Sequence, residues 1–480
     1  MSLKKQTISG LIWTFSQQFS VQVINFMVQI VLARILLPAE FGLIGMLTIF
    51  IAIGNSLMDS GMTSSLIRTP DADQRDYSTV FFVNIIASVI IYAILFLCAP
   101  FIAEFYNQPI LEPIVRVYTL SFVIRAFVGV QTTKLTKEMN FKIQMMMQVP
   151  SVIIGGIAGI IFAYQGLGVW SLVWMNLIQS FLFTVQHWFK TGWYPSWIFD
   201  KERLKKHIGF GYKLTMSGLL NTIYNNIYNI VIGKFFTATQ LGYYTRSQTL
   251  QMFPVTNLAT ALNKVTYPMF ASIHNDDVKL KLAYKKLMQQ IIFWVAPLMI
   301  SLIVVAQPLF LYILTEKWLP AVPYFQLLCI TGILYPIHAY NLNILNVKGR
   351  SDLFLRLEIY KKILITVGII CAVPFGIYGL IFLQIILSVA AFGINTLYSG
   401  KMINYPGKEQ LKDISPLILN AFLVGAICYP FYLFILKTYH LQEPVNILVM
   451  GTLYWVFYLG MSYLFKISAL FEFRTLILKR

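Results

Sequence analysis

The sequence predicts an all-α integral membrane protein with about 14 transmembrane helices, arranged as two parallel six-helix lobes followed by two C-terminal helices. Three observations support this prediction. Of the 480 residues, 58% are hydrophobic and only 12% are charged, whereas soluble globular proteins are about 25% charged. Apolar runs of roughly 20 residues, long enough to cross a bilayer as a helix, recur along the chain. A pattern of polar residues and glycines also repeats at a spacing of 200 positions.

The repeat is clearest around residues 31–45, where one long apolar run ends and a second begins after Pro38. Arg34 and Glu40 mark this boundary, and a shift by 200 positions finds Lys234 and Gln240 in matching places. A cation, a short turn and a helix start therefore recur together. Because an even number of predicted spans separates the two copies, we expect two halves of the same orientation, related by an axis near the membrane normal.

The apolar runs give the individual spans and the domain boundaries. The predicted cores are 8–36, 40–67, 78–103, 110–133, 143–164, 168–189, 208–235, 240–270, 284–306, 322–345, 355–374, 376–399, 413–436 and 444–465. The first six form an N-lobe (1–190), and a cytoplasmic interfacial linker (191–207) follows. The next six form a C-lobe (208–402), and two extra spans with a cytoplasmic tail complete the chain (403–480).

The distribution of cations predicts the orientation. With the N-terminus in the cytoplasm, 28 of the 37 Lys and Arg residues fall on the cytoplasmic side, 5 on the opposite side and 4 within spans. This asymmetry follows the positive-inside rule and accounts for the net charge of +18 without nucleic acid as a partner. In the linker, Trp193, Tyr194 and Trp197 precede a basic run, so we expect aromatic side chains at the headgroup level and cations toward anionic lipid.

Polar residues lie on one face of a predicted span in each half. The first span carries amides at helical spacing, namely Gln18, Gln22, Asn25 and Gln29. The matching face of the seventh span carries Gly218, Thr222, Asn225 and Asn229, with Tyr228 beside them. Such a stripe is costly against hydrocarbon, so it faces either neighbouring helices or a wet cavity. Its recurrence in both halves favours the cavity.

Four cations are assigned to the predicted spans, and among the carboxylates only Asp59 lies well inside a span. Arg125 and Arg246 lie deep, and Lys213 and Lys264 lie nearer the cytoplasmic ends. An intramembrane cation is by default a candidate for a functional site. The two lysines could instead extend to the headgroups, and Lys264 could pair with Asp59, the one carboxylate placed well inside a span.

The sign of these charges favours an anionic substrate. Exporters coupled to protons or sodium need buried acids, whereas arginine offers paired donors to a phosphate or diphosphate. The four cysteines lie scattered in apolar runs with no metal-ligand spacing. We therefore expect no disulfide framework, metal site or cofactor, and no catalytic residue.

Three motifs carry a resemblance to a known family. They are A-R-I-L-L-P-A-E-F-G at 33–42, L-G-Y-Y-T-R-S at 241–247 and G-R-S-D-L at 349–353. With the predicted lobes, the chain resembles bacterial Wzx-type polysaccharide flippases, in the colanic-acid-transporter-like branch of the multidrug/oligosaccharidyl-lipid/polysaccharide exporter superfamily. The resemblance implies alternating access in the bacterial inner membrane, moving an undecaprenyl-diphosphate-linked oligosaccharide from the cytoplasmic to the periplasmic leaflet for surface polysaccharide biosynthesis.

The resemblance also implies roles for particular residues. Arg34, Arg125, Arg246 and Lys264, together with Lys213, become cavity cations for the diphosphate, with Arg34 and Lys234 at the periplasmic mouth. Arg34 has an equally good structural interpretation as a cation at the end of a helix. Polar side chains would meet sugar hydroxyls, namely Gln18, Gln22, Asn25, Asn225 and Tyr228.

Alternatives remain open at this point. A cation-coupled multidrug antiporter of the same fold would need Asp59 as its coupling carboxylate, and a lipid II flippase would share the cationic cavity. A membrane-bound polymerase or ligase is disfavoured, since the longest predicted outer loop, 307–321, holds one acid and no histidine. We expect a monomer among membrane lipids with both termini cytoplasmic, and leave open an association with the polysaccharide polymerase machinery.

Overall fold

The computed structural model describes residues 3–59, 61–439 and 442–478 and confirms the all-α prediction. Within these ranges the regular structure is α-helix and short 3₁₀-helix, and no strand occurs. The chain divides into two compact units, Met1–Gly242 and Tyr243–Arg480. The predicted lobe boundaries lie elsewhere, at the linker 191–207, and stay a prediction about the repeat.

Unit 1 contains eleven helices and the first residues of a twelfth. They are α1 (Leu3–Ile35), α2 (Pro38–Asp59), α3 (Met62–Arg68), α4 (Gln74–Tyr106), α5 (Leu111–Tyr118), α6 (Leu120–Ala126), α7 (Gly129–Lys137), α8 (Phe141–Tyr164), α9 (Val169–Lys190), α10 (Lys201–Asn225), α11 (Ile227–Phe235) and α12 (Ala238–Ser272).

Unit 2 contains the rest of α12 and eight further helices. They are α13 (Asp277–Val304), α14 (Ala306–Leu314), α15 (Val322–Val347), α16 (Ser351–Ala372), α17 (Gly376–Met402), α18 (Gly407–Tyr439), α19 (Glu443–Leu464) and α20 (Ser468–Leu478), with 3₁₀-helices at Glu316–Ala321 and Val373–Phe375.

Each predicted span coincides with one helix or with a helix that is broken once or twice. In the described part of the chain, nine helical stretches are long and apolar enough to cross a membrane, or ten if the bent pair Leu111–Ala126 and Gly129–Lys137 is one span. One of the nine, Ser351–Met402, contains both α16 and α17. The predicted total of about 14 is not confirmed and stays a prediction.

The 200-residue repeat is visible in the helix boundaries. The helix α1 ends at Ile35 and α2 begins at Pro38, while α11 ends at Phe235 and α12 begins at Ala238. The side chains that follow the turn act alike: Glu40 accepts a hydrogen bond from the N–H of Leu37 at 2.7 Å, and Gln240 accepts one from the N–H of Thr237 at 3.2 Å. The repeat is therefore one of backbone and capping geometry.

The glycine that ends each copy of the motif lies against a backbone carbonyl. A Cβ at Gly42 would stand 1.7 Å from the carbonyl oxygen of Ala238, and a Cβ at Gly242 would stand 1.9 Å from that of Pro38. Two helix N-termini cross here at backbone contact, so no residue with a side chain fits. This explains the glycine in the motif at 33–42 by packing.

Glycines also bring α8 close to its neighbours in unit 1. A Cβ at Gly155 would lie 2.2 Å from Gln179 of α9, and a Cβ at Gly156 would lie 2.6 Å from Val28 of α1. The helix α8 packs extensively on both partners. Close approach through small residues is a common way for membrane helices to associate, since lipid provides no hydrophobic drive.

The linker between α9 and α10 is held against the start of α4. Trp193 is only 5% exposed, packs among Tyr77 and Phe81, and donates its indole N–H to Gln74 at 2.7 Å. Trp193 is therefore part of a core within unit 1, whereas Trp197 is 94% exposed. The predicted level of the linker, in the headgroup layer, stays a prediction.

In unit 2, the two helices after the predicted second lobe pack on α13. The helix α18 lies along α13, and α19 packs against both α18 and α13. Buried polar groups connect them: the hydroxyl of Tyr458 donates to the carbonyl of Phe293 at 3.0 Å, and the amide of Asn420 donates to Ser462 at 2.9 Å. These hydrogen bonds give the polar groups partners that the hydrocarbon of a bilayer does not offer.

Candidate functional site

Unit 1 contains a cavity of about 400 Å³ bounded by α1, α7, α8, α9 and the end of α6. This volume falls within the range of about 300–1,000 Å³ typical of small-molecule sites. Its lining combines one guanidinium with amides, hydroxyls and a few apolar groups, namely Val21, Asn25, Arg125, Val128, Gly129, Thr132, Gln148, Ser151, Val152, Gln179, Ser180 and Phe183. Among these described lining residues there is one cation and no carboxylate.

A break in the fourth predicted span places Arg125 at the cavity. The helix α6 ends at Ala126, and α7 starts at Gly129 with a bend of 45°. Side chains of α9 satisfy carbonyls that the break frees: Trp188 donates its indole N–H to the carbonyl of Phe127, and Thr184 donates its hydroxyl to that of Ile124, both at 3.0 Å. The bend is therefore a stable feature of the helix.

The guanidinium of Arg125 is positioned by two side chains of α9. Its Nε donates to the hydroxyl of Ser180 at 2.9 Å, and one terminal nitrogen donates to the amide oxygen of Asn176 at 3.3 Å. The side chain is nevertheless exposed, and it lines the cavity. Because a guanidinium has five N–H donors, donors remain for an anion in the cavity.

Amides surround this cation. Gln148 accepts a short hydrogen bond from Gln17, and Ser151 accepts one from Gln186 at 2.8 Å. The side-chain nitrogen of Gln179 is buried beside the cavity without a partner among the described residues. A cavity with one cation, several amides and several hydroxyls suits a ligand that carries both negative charge and hydroxyl groups.

The structure brings two of the sequence-predicted site residues together, Asn25 and Arg125. Gln22 is half-buried and Gln18 exposed on α1, outside the lining of this cavity. On the second copy, Asn225 is exposed and Tyr228 half-buried. Arg34, at the last turn of α1, is exposed as well.

Arg246 lies in unit 2 and is largely enclosed. It is 7% exposed, and its guanidinium carbon lies 5.9 Å from the centre of the Trp318 ring. Neighbours in the same run bind the 3₁₀ segment: Tyr243 donates to the carbonyl of Lys317 at 3.1 Å, and Ser247 donates to that of Ala321 at 3.0 Å. Within unit 2, residues 243–247 of this run thus also have a packing role.

Three predicted residues lie outside the side chains that the structure describes. They are Asp59, Lys213 and Lys264. Their suggested roles, including the pairing of Lys264 with Asp59, stay predictions.

Sequence reasoning missed most of the lining. A signal was present, since Asn176, Ser180 and Thr184 follow one another at intervals of four on α9, and Gln148 and Ser151 are three apart on α8. This is the helical spacing that identified the stripe on the first span. Polar residues at helical spacing on α8 and α9, two spans outside the pair that the repeat relates, thus indicate the lining.

A second polar cluster, also unpredicted, lies at the start of α10. The carboxylate of Asp76 is fully buried and lies 2.5 Å from the guanidinium of Arg203 and 3.0 Å from Nε2 of His207. The hydroxyl of Ser65 lies 2.8 Å from the other ring nitrogen, Nδ1 of His207. The sequence singles out Asp59 as the one carboxylate well inside a predicted span and gives no such signal for Asp76. Within the described residues, no group of three or more His, Cys, Asp or Glu has the arrangement of a metal site.

Comparisons with known proteins agree with this architecture. The chain is similar to the teichuronic acid biosynthesis protein TuaB of Bacillus subtilis (strain 168), at 27% identity over 437 residues and 88% of each chain. It is also similar to the lipopolysaccharide biosynthesis protein WzxC of Escherichia coli (strain K12), at 24% identity over 82% of this chain and 81% of the relative.

Among solved structures, the lipid II flippase MurJ in an inward closed conformation has the same fold. The match has a TM-score of 0.72 at 14% identity and covers 95% of this chain and 98% of that one. Together with the apolar helices, these similarities identify a multi-pass membrane protein. The model of the family described as "Polysaccharide biosynthesis protein" matches residues 31–323, well over half of the chain. The chain belongs to this polysaccharide biosynthesis protein family.

Proposed function

We propose that this protein is a flippase that moves a polyprenyl-diphosphate-linked oligosaccharide across the bacterial inner membrane, from the cytoplasmic to the periplasmic leaflet. The observation that carries the proposal is the cavity of unit 1, in which Arg125 stands among amides and hydroxyls without a carboxylate in the lining. Family membership and the names of the relatives support a role in supplying surface polysaccharide.

In this proposal Arg125 binds an anionic oxygen of the substrate, and the amides bind sugar hydroxyls. A charged hydrogen bond from a guanidinium is stronger than a neutral one, and it selects phosphate or carboxylate over a cationic drug. Asn25 and Gln179 supply neutral donors and acceptors at the same cavity. The other predicted cations, among them Arg246, Lys264, Lys213 and Arg34, remain candidates for further contacts with the diphosphate.

Transport by alternating access fits the fold shared with the lipid II flippase. We propose that both termini lie in the cytoplasm, because the predicted loops follow the positive-inside rule. We further propose that the protein acts as a transporter without catalytic residues, as a monomer, and that it could associate with the polymerase that uses its product.

A leaflet-resolved assay in proteoliposomes tests the proposal. A fluorescent polyprenyl-diphosphate oligosaccharide placed in one leaflet should reach the other only when the protein is present, and a lipophilic cationic dye should not be transported. Dye export that is lost in an Asp59→Asn variant, without movement of the glycolipid, would instead identify a drug antiporter.

A further inference from the structure

An apolar groove in unit 1 lies apart from the substrate cavity. It has a volume of about 360 Å³ and is bounded by α2, α4 and α11, which pack on one another. Four aromatic rings, three isoleucines and Cys98 form its lining. The cavity at Arg125 is lined by other helices, and the two linings have no residue in common. The role proposed for Arg125 therefore does not account for this groove.

The groove follows one face of α4. Cys98, Phe101, Ile102 and Phe105 all lie in the lining and follow the spacing of a helix face. Cys98 is exposed and Phe101 is 70% exposed, so the groove is open along this helix. The axial rise from Cys98 to Phe105 is about 10 Å, while the hydrocarbon of one leaflet is about 15 Å thick. The groove therefore has the length of a lipid chain segment within a single leaflet.

Close contacts fix the walls of the groove where α4 ends. A Cβ at Gly233 would lie 2.9 Å from the ring of Tyr106 and 3.0 Å from Met46, so α11 packs directly on α4 and α2. The Tyr106 ring also meets Phe50 and Phe105 edge to face, with centroids 6.4 Å and 4.8 Å apart. Side chains packed in this way cannot easily move to fill the recess, which leaves it for a ligand.

A cation lies at this end of the groove. The ammonium group of Lys234 donates to the carbonyl of Phe105 at 2.6 Å and lies 4.7 Å from the centre of the Phe105 ring. It has three donors, so two are left for a ligand. Within the described residues it forms no salt bridge. The neighbouring acid Glu104 is exposed, and Glu112 is held by Arg116 at 2.8 Å. An apolar groove that ends at such a cation suits an amphiphile with an anionic head group.

We propose that this groove binds an acyl chain of an anionic bilayer phospholipid, whose phosphate contacts Lys234. A chain that leaves the bilayer for the groove gains little hydrophobic free energy, because both surroundings are apolar. Selectivity therefore comes from packing against the aromatic rings and from the charge at the end of the groove. The inference rests on a multi-pass membrane protein, identified above, and not on the proposed flippase activity.

The bound phospholipid ties α11 to α2 and α4. The helix α11 has nine residues and lies between the break at Asn226 and the turn at 236–237. Ile230, in the lining, and Lys234, at the head-group end, are four residues apart and therefore lie on one face of this short helix. A ligand that binds only the folded protein stabilises it, so anionic phospholipid should raise the melting temperature.

Photo-crosslinking in nanodiscs tests the proposal. The probe is phosphatidylglycerol with a diazirine in its acyl chain, present at low density in phosphatidylcholine nanodiscs. Crosslinked peptides should concentrate on the groove-lining parts of α2, α4 and α11. Cys98→Trp, which places an indole in the groove, should lower this crosslinking about tenfold through overpacking. Cys371→Trp is the matched control, since Cys371 is also an exposed cysteine but lies on α16, and it should leave the crosslinking unchanged.

The charge is tested separately, and this test serves if Cys98→Trp does not fold. Lys234→Gln should lower crosslinking of phosphatidylglycerol about fivefold, the effect of one cation near a head group, while Lys234→Arg should retain it. A diazirine-bearing phosphatidylcholine should crosslink weakly at the groove, and equally in the wild type and both variants.

Three outcomes would overturn the proposal. They are crosslinks spread evenly over the membrane helices, crosslinking at the groove that survives in Cys98→Trp, and phosphatidylglycerol crosslinking that is unchanged in Lys234→Gln. Displacement of the probe by an equal amount of polyprenyl diphosphate would also overturn it, because the groove would then belong to the transported lipid.

Discussion

Replacing Arg125 gives the sharpest test of the proposed substrate cavity. Its guanidinium is held by Ser180 and Asn176, yet it remains exposed toward the cavity. Arg125→Ala removes the one cation of the lining, and the substrate's anionic oxygens then lose a bidentate partner. The fold should survive, since loss of the side chain opens space beside Ser180, a lining residue, where water from the cavity can take the place of the guanidinium.

The size of the effect follows from the bonds lost. Hydrogen bonds to charged groups contribute about 1.5–3 kcal/mol each. Losing two of them weakens binding by about 3–6 kcal/mol, a factor of about 10²–10⁴. Arg125→Lys keeps the charge but loses the planar fork, so we expect about half of this loss in free energy, a factor of about 10–10².

The assay is leaflet-resolved transport of diphosphate-linked glycolipid, with initial rates measured over a range of substrate density. Arg116→Ala is the matched control, because Arg116 also lies in unit 1 but pairs with Glu112 at the surface at 2.8 Å. A surface pair of this kind contributes about 0–1 kcal/mol, so transport should change by a few fold at most. If Arg125→Ala transports as well as Arg116→Ala, the cavity does not hold the anionic group.

Three further predictions concern stability in detergent. Gly42→Ala should destabilise the protein by about 1–3 kcal/mol through overpacking, because its Cβ would meet a backbone carbonyl of α12, whereas Gly451→Ala, with open space around it, should not; thermal unfolding compares them. Trp193→Phe should lower the melting temperature more than Trp197→Phe, since Trp193 is buried and donates to Gln74 of α4 whereas Trp197 is 94% exposed, and a lost hydrogen bond costs about 0.5–1.5 kcal/mol. Asp73→Ala should lower the free energy of unfolding by about 0.5–2 kcal/mol through loss of the N-cap. Because backbone N–H groups lower the pKa of Asp73 below 3.8, the loss should be largest at neutral pH and should shrink as acid protonates the carboxylate. Unfolding measured at neutral and acidic pH checks this, and an equal loss at both would contradict the capping role.

The sequence predicts well those features that the bilayer imposes on every helix. Within lipid the backbone has to be helical, so an apolar run forms one helix and a turn is possible only where the run ends. The turn at residues 36–37 and its copy at 236–237 lie at such ends. The glycine at the end of the motif indicates a close approach of two backbones, and Gly42 does lie against the carbonyl of Ala238.

The site is less predictable, because it depends on which helices become neighbours. Arg125 is an evident intramembrane cation, but its partners Asn176 and Ser180 are about 50 residues away. Asp76 stands three residues after a helix N-cap, a place where acids usually face water. Only the packing of α10 over it turns a helix-start carboxylate into a buried ion-pair acceptor.

In unit 2, as at Asp76 and Arg203 in unit 1, salt bridges join two helices. Two lysines one turn apart on α13, Lys281 and Lys285, pair with Glu409 and Asp413 at 2.9 and 2.8 Å. The two acids lie four apart on α18, which follows the second predicted lobe as α10 follows the first. In each unit, the helix after a predicted lobe is thus tied to the first turns of that lobe's third span.

The signs of the two contacts are opposite, and this has a physical consequence. In unit 1 the acids lie on α4 and the cations on α10, whereas in unit 2 the cations lie on α13 and the acids on α18. If α10 bound α13 at Lys281 and Lys285, Arg203 would face cations, and if α18 bound α4 at Asp76, acids would meet. Like charges in contact cost several kcal/mol. A chain with two similar halves risks pairing a helix with the wrong half, and the opposite signs of these two contacts penalise that error.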